Sequence, residues 1–207
     1  MGRVSQAQAQ ENRQRVVATA SRMFREKGTA VSVADLMKAA GLTHGGFYKQ
    51  FASKEDLVDE AITHAFENPA PYSAAAAVTP KEGEDHEAAR QAMIDDYLSI
   101  WHRDHAAEGC PVSGFAADLG REPDQAAGAR EIYINGVRNR AARLATGDDD
   151  GLAQFCTLVG ALALARATRG NPLSEELLQA ARTALTEIDT KGSERAGSGA
   201  SSPATTG

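Results

Sequence analysis

The sequence predicts an all-α protein of about nine helices, and three observations carry that expectation. Apolar residues recur at helical spacing early in the chain, where Val16, Val17, Ala20, Met23 and Phe24 share one face. The same period returns from His86 to about Asp189. Around these stretches Ser, Thr, Gly and Pro stand where helices start and stop, and no segment reads as a strand.

Residues 1–10, MGRVSQAQAQ, are expected to form a disordered arm in which Arg3 offers a cation to a phosphate, and a first helix covers 11–27. Val33, Leu36, Met37 and Ala40 then line one face of a helix from Ser32 to Ala40, with Ser32 as its N-cap. Gly41 ends that helix, because glycine relaxes into the left-handed conformation a helix C-terminus often needs. Thr43 caps the next, so the turn is specified from both sides: helix-turn-helix grammar.

The second helix of the pair opens on His44, Gly45 and Gly46. Two adjacent glycines cost a helix roughly 1 kcal/mol each, which points to a gain elsewhere, namely a backbone that must come close to a ligand. Phe47 and Phe51, four apart, anchor the segment, while Tyr48, Lys49 and Gln50 offer a hydroxyl, a cation and an amide to a nucleic acid. Ser53 caps a further helix with Glu55 and Asp56 in its first turn. Lys54 opposes the helix dipole there, which suggests a use outside the helix, on a phosphate.

These strings, A-x-x-M-F-R-E-K-G, V-x-x-L-M-x-A-A-G-L, T-H-G-G-F-Y-x-x-F and S-K-E-D-L, together resemble the DNA-binding domain of the tetracycline-repressor (TetR) family over about Asn12 to Phe66. The resemblance implies an N-terminal three-helix helix-turn-helix domain followed by a C-terminal helical domain for ligand binding and dimerisation. It implies that His44, Gly45 and Gly46 approach the bases, and that Thr43, Tyr48, Lys49 and Lys54, with Ser32 and Arg13, contact phosphates. It also implies a regulator, more often a repressor, released from a palindromic double-stranded operator by a small-molecule effector or by thiol modification.

Five regions follow: an arm at 1–10, a DNA-binding domain at 11–67, a loop or hinge at 68–85, a ligand and dimerisation domain at 86–190, and a low-complexity disordered tail at 191–207. The hinge, NPAPYSAAAAVTPKEGED, holds three prolines and departs from the family pattern, in which the fourth helix passes quickly into the ligand domain. Beyond it, Met93, Tyr97, Ile100 and Trp101 share a face of one helix, and EGCPVSGFAADLG makes a break and a short helix that starts at Pro111. Helices at Gln125–Ala145, Leu152–Arg169 and Ser174–Asp189 complete the chain.

The last two helices resemble the family's dimerisation pair. Leu158, Leu162, Leu178 and Leu185 are expected on the seam between copies, with Gly160, Ala161, Ala163 and Ala165 allowing close approach. A single recognition helix reads too few base pairs, which also argues for a two-fold dimer on half-sites about 34–36 Å apart or a multiple of that.

For sensing, Cys110 in Gly109-Cys110-Pro111 sits where a helix N-terminus favours a thiolate, and the segment resembles a subgroup of these regulators; the alternative is a small apolar residue that fills space under the helix. Cys156 reads as structural, on an apolar helix face. The aromatic set Tyr97, Trp101, Phe115, Tyr133 and Phe155 offers the lining of a pocket for a flat organic effector. His102, His105 and Cys110 have metal-ligand types, with His86 more distant, but no Cys-x-x-Cys supports a site; no metal and no cofactor are expected.

Charge divides along the chain. Residues 1–54 hold nine Lys and Arg against three acids, a net +6, and the remainder holds 13 against 25, a net −12, within a total of −6. A basic head on an acidic body steers one end to the duplex. The 207-residue chain is 42% hydrophobic, and no apolar run nears the ~20 residues that span a bilayer. The polar N-terminus suggests a cytoplasmic protein with reduced thiols and no membrane partner. No enzyme motif such as G-x-x-x-x-G-K-[ST], G-x-S-x-G or H-E-x-x-H is present. The alternatives are a thiol-dependent enzyme or carrier with an incidental helix-turn-helix, and a sequence-indifferent architectural DNA-binder.

Overall fold

A computed structural model of the chain describes residues 6–68, 86–121, 126, 128–147 and 149–198, with side chains to residue 186. Every element among them is helical. In order they are α1 (Gln6–Lys27), α2 (Val33–Ala39), a 3-10 helix (His44–Lys49), α3 (Lys54–Glu67), α4 (His86–Tyr97), α5 (Ile100–Asp104), a 3-10 turn (Ala106–Glu108), α6 (Pro111–Arg121), α7 (Arg130–Ala141), α8 (Leu152–Ala167) and α9 (Leu173–Ser198). None of these helices is long and apolar enough to cross a membrane. Most of the expected hinge, residues 69–85, and Arg3 of the expected arm lie outside the described residues.

The ends of several elements differ from expectation for local reasons. The expected arm is helical from Gln6, because Gln8 hydrogen bonds to Glu11 at 3.2 Å and Arg15 pairs with Glu11 at 3.1 Å in a stretch of good helix formers. The helix expected from Gln125 starts at Arg130. At the other end α9 runs past Asp189 to Ser198, into the expected tail, since extending a formed helix costs far less than starting one. Residues 199–207 lie outside the described residues. Ser99 interrupts the single helix expected through Trp101: its hydroxyl accepts the His102 N–H at 3.1 Å and starts α5. Ile100 and Trp101 are thereby turned to solvent, away from the face of Met93 and Tyr97.

Two apolar cores result. The first joins Val16, Ala20 and Phe24 of α1, Leu36 and Met37 of α2, Phe47, Phe51, and Leu57, Ala61 and Ile62 of α3. It is closed by Phe115 and Leu119 of α6 and by Ala126 and Ala129 before α7, so the head borrows part of its core from the second half of the chain. The second core gathers Ile94, Tyr97, Leu98, Val112, Leu144, Phe155, Leu158, Leu162, Leu178 and Leu185. Phe66 and Tyr133 pack against both.

Polar contacts reinforce this junction. The Asp118 carboxylate accepts the Thr29 N–H at 3.3 Å, and Asp59 accepts the Ala129 N–H at 3.2 Å. Buried Arg25 donates to the Gly109 carbonyl at 2.9 Å and to Ser21 at 3.1 Å. Gly136 lets Phe66 lie against α7; a Cβ there would stand 2.0 Å from the ring.

Candidate nucleic-acid interface

Local bonds build the turn. The Ser32 hydroxyl accepts the Asp35 N–H at 3.1 Å and donates to the Asp35 carboxylate at 2.6 Å, which fixes the start of α2. At its other end Gly41 adopts φ +71°, the left-handed conformation anticipated for it, and the Leu42 N–H reaches the Met37 carbonyl at 2.8 Å. Thr43 is extended and precedes the next segment as expected, but its side chain makes no cap hydrogen bond.

His44–Lys49 forms a 3-10 helix rather than an α-helix. Phe47 is fully buried, and Phe51 stacks on it with ring centroids 5.3 Å apart. Tyr48 is 68% exposed, with its ring edge-on to Phe47 at 5.1 Å. Two buried rings thus hold the segment down while His44, Gly45, Tyr48 and Lys49 face solvent together, with Thr43 also exposed. A Cβ built on Gly45 meets nothing within 4 Å, whereas one on Gly46 meets Met37 at 3.5 Å and Thr43 at 3.7 Å. The two glycines therefore differ: Gly45 is open on the outer side, and Gly46 partly faces the head.

Half-buried Lys54 follows at the start of α3, behind the Ser53 cap on the Asp56 N–H. Hydrogen bonds from its own backbone N–H and from the Ser53 hydroxyl hold the Glu55 carboxyl below the usual carboxylate range. Gln50 differs from expectation in part: its side-chain oxygen is buried without a hydrogen-bond partner.

Arg13 is engaged within the head. Both terminal nitrogens bond to Glu60 of α3, Nε lies 3.4 Å from the Gln50 carbonyl, and the guanidinium sits 4.7 Å from the Phe51 ring centroid. Glu60 partnership raises the arginine pKa further. Nothing in the local sequence marks this pair, since its partners lie far apart in the chain.

The residues expected to sense an effector do not form one lining. Phe115 is fully buried in the head core, and Trp101 is partly exposed and stacks on His105 at 4.4 Å. Tyr97 and Phe155 meet edge-on at 6.2 Å within the second core. Tyr133 bridges the cores and donates to the Val112 carbonyl at 3.1 Å; burial pushes its phenol up to about 12. Helical periodicity marks each ring as inward-facing and leaves open which core it enters.

Of the two readings of Cys110 the burial agrees with the space-filling one, and Cys156, read as structural, lies on the outer face of α8. Cys110 is 5% exposed and Cys156 is exposed. The Cys110 N–H donates to His102 Nε2 at 2.9 Å, and His102 Nδ1 lies 2.8 Å from the Tyr97 carbonyl, so both imidazole nitrogens are used inside the fold. Burial pushes the His102 pKa down to about 4. Arg166 bonds to the His102 carbonyl at 2.8 Å, which locks the same corner.

The four leucines expected at the seam between copies are core residues instead. Leu158, Leu162, Leu178 and Leu185 are all buried within the chain. Facing outward from α8 are Cys156, Gly160, Ala163, Leu164 and Ala167, with Leu164 55% exposed. Because α8 is apolar nearly all round, its sequence defines no single inward face, and the larger side chains take the interior.

Comparison with known proteins places this geometry. The model of the bacterial regulatory proteins of the tetR family matches residues 16–61, the segment that holds the turn, its anchors and most of α3. The HTH-type transcriptional regulator AcrR of Shigella flexneri is 39% identical over 61 residues, which is 29% of this chain and 28% of AcrR. The chain thus matches under a third of that relative's length. Among solved structures, a TetR transcriptional regulator from Chloroflexus aurantiacus aligns with TM-score 0.66 at 23% identity, covering 89% of this chain and 96% of the other. NemR of E. coli in its reduced form aligns with TM-score 0.68 at 17% identity, covering 86% and 96%. At those identities the likeness is one of fold, and it extends over both halves of the chain.

Proposed function

We infer that this chain, which belongs to the tetR family of bacterial regulatory proteins, is a transcriptional regulator that binds duplex DNA through its head and answers to an effector in its second half. One observation carries the reading: His44, Gly45, Tyr48 and Lys49 stand outward together on the buried Phe47–Phe51 pair, in the segment that matches the family. In this reading His44, Gly45 and Gly46 approach base edges, and Thr43, Tyr48, Lys49 and Lys54 hold phosphates. Ser32 contributes through its cap on α2.

The protein acts as a two-fold dimer, which doubles the bases read. Its self-contact is the outward stripe of α8, Cys156, Gly160, Ala163 and Leu164, with neighbouring positions of α9. This replaces the leucine seam expected from sequence. Release follows when an effector favours a head spacing that does not fit the operator, by about 1–3 kcal/mol of coupling. Arg25 on Gly109, Asp118 on Thr29 and Asp59 on Ala129 are the contacts through which the second half would move the head. Repression is the proposed sign. The burial of Cys110 removes the motive for a thiol switch there and leaves a reversible small molecule as the proposed signal.

The test is a footprint of purified protein on the DNA adjoining its own coding region, repeated with Lys49→Ala and Lys54→Ala. The reading expects a protected two-fold site, and each substitution should weaken it and lower the salt slope by about one. Protection of no defined site, or lysine variants indistinguishable from wild type, would remove it.

A further inference from the structure

Arg13 lies on the DNA-facing head and, taken alone, reads as one more cation for a phosphate. Its surroundings assign it otherwise. The two terminal nitrogens form a fork on Glu60, Nε reaches the Gln50 carbonyl, and the guanidinium plane rests over Phe51. Side chains of the ion pair are each 35% exposed. Gln50 and Phe51 directly follow the His44–Lys49 segment, and their N–H groups both return to the Phe47 carbonyl, at 2.8 and 3.0 Å. The Gln50 carbonyl therefore belongs to the unsatisfied C-terminal end of that segment, where a cation and a donor are both favourable.

From this geometry we propose that Arg13 and Glu60 act as a positioning clamp that fixes the recognition segment against α1 and α3, and that Arg13 makes no phosphate contact. The inference rests on the DNA-binding reading above and refines it. An arginine whose charge is matched by a carboxylate in contact contributes little net field at a phosphate, because the pair is neutral at the distance of a Debye length. Its fork geometry is also specific. Three of its five N–H donors are committed to two partners on two different elements, and a lysine ammonium cannot reproduce that arrangement. Base-reading groups need their positions held to within about 0.5 Å, so loosening the clamp should act on sequence discrimination rather than on general attraction.

The two roles differ in sign at Glu60. If Arg13 holds a phosphate, removing the neighbouring negative charge frees the arginine and tightens binding. If the pair is a clamp, the same change weakens operator binding. Wild type, Arg13→Ala, Arg13→Lys, Glu60→Gln and the double variant Arg13→Ala/Glu60→Gln are titrated by fluorescence anisotropy. One duplex is the footprinted operator and the other has scrambled sequence, each at several salt concentrations.

The clamp predicts that Arg13→Ala and Glu60→Gln each weaken operator binding about tenfold, with the double variant no more than about twofold worse than either. Lysine should fail to rescue, and in the charge-balanced double variant affinity for scrambled duplex and the salt slope should stay at wild-type values. Thermal melts of the same proteins identify any variant that fails to fold, in which case Glu60→Gln alone decides. Unchanged or tighter operator binding by Glu60→Gln overturns the clamp, as does a fall of about one in the salt slope with the charge-balanced double variant. If wild type itself does not distinguish operator from scrambled DNA, the DNA-reading proposal fails and not the clamp alone.

Discussion

Replacing Leu164 by Asp should separate the proposed dimer without unfolding the protomer. Leu164 is 55% exposed on the outer face of α8, in line with Cys156, Gly160 and Ala163. Full burial of a leucine stabilises by about 1.5–3 kcal/mol, so covering the exposed half is worth about 0.8–1.5 kcal/mol per protomer. A two-fold interface counts it twice, about 1.6–3 kcal/mol, which is roughly 15- to 150-fold in the dimer dissociation constant for Leu164→Ala. Aspartate adds the desolvation of two carboxylates and should raise that constant further. Leu162, fully buried two residues away, supplies the contrast: Leu162→Ala opens a core cavity, costs about 2–5 kcal/mol and lowers the melting temperature by roughly 5–15 °C. Sedimentation equilibrium across micromolar concentrations reads the first effect, and circular dichroism melts read the second. A Leu164→Asp protein that sediments as a dimer at those concentrations would refute the assignment of this face.

Three further outcomes follow from the same geometry. Gly45→Leu should cost operator affinity at least about tenfold while leaving the melting temperature unchanged or slightly higher, because its side chain meets open space and the unfolded chain loses freedom; a large fall in melting temperature would contradict this. His102 titrates near 6.5 when unfolded and about 4 when folded, so its neutral form contributes fully above pH 6.5 and that contribution is lost as pH falls toward 4, up to about 3 kcal/mol. Urea unfolding of wild type and His102→Asn at pH 7 and pH 4.5 should show the gap between them narrowing at the lower pH. In a Leu164→Asp monomer, mild alkylation read by mass spectrometry should modify Cys156 well before Cys110, whose thiol should react only on unfolding.

What the sequence disclosed was decided by neighbours in the chain. Ser32, Gly41 and Ser53 set the boundaries of the helix-turn-helix through bonds that span three to five residues, and Phe47 and Phe51 anchor it through one turn's spacing. Contacts between distant segments left no such mark. Phe115 has the period of a buried residue in either core, and only the path of α6 sends it into the head. The outward face of α8 was misread because the helix is apolar on every side, so Leu158 and Leu162 look as suited to a seam as Leu164. Ser99 overrode an apolar pattern that continued through it, since a side-chain oxygen aimed at the His102 N–H outweighed periodicity. The family resemblance places Arg13 among the DNA contacts, and its partner Glu60 shows only when α1 and α3 are brought together.

The central claim, that the head reads a defined duplex sequence as half of a two-fold pair, is tested most directly by selection from a pool of random duplex DNA with the purified full-length protein, followed by sequencing of what is retained. The account predicts enrichment of one motif repeated as an inverted pair with fixed spacing between half-sites. Retention of DNA with no enriched motif would identify a sequence-indifferent binder and contradict it, and retention of no duplex at all would contradict DNA binding itself.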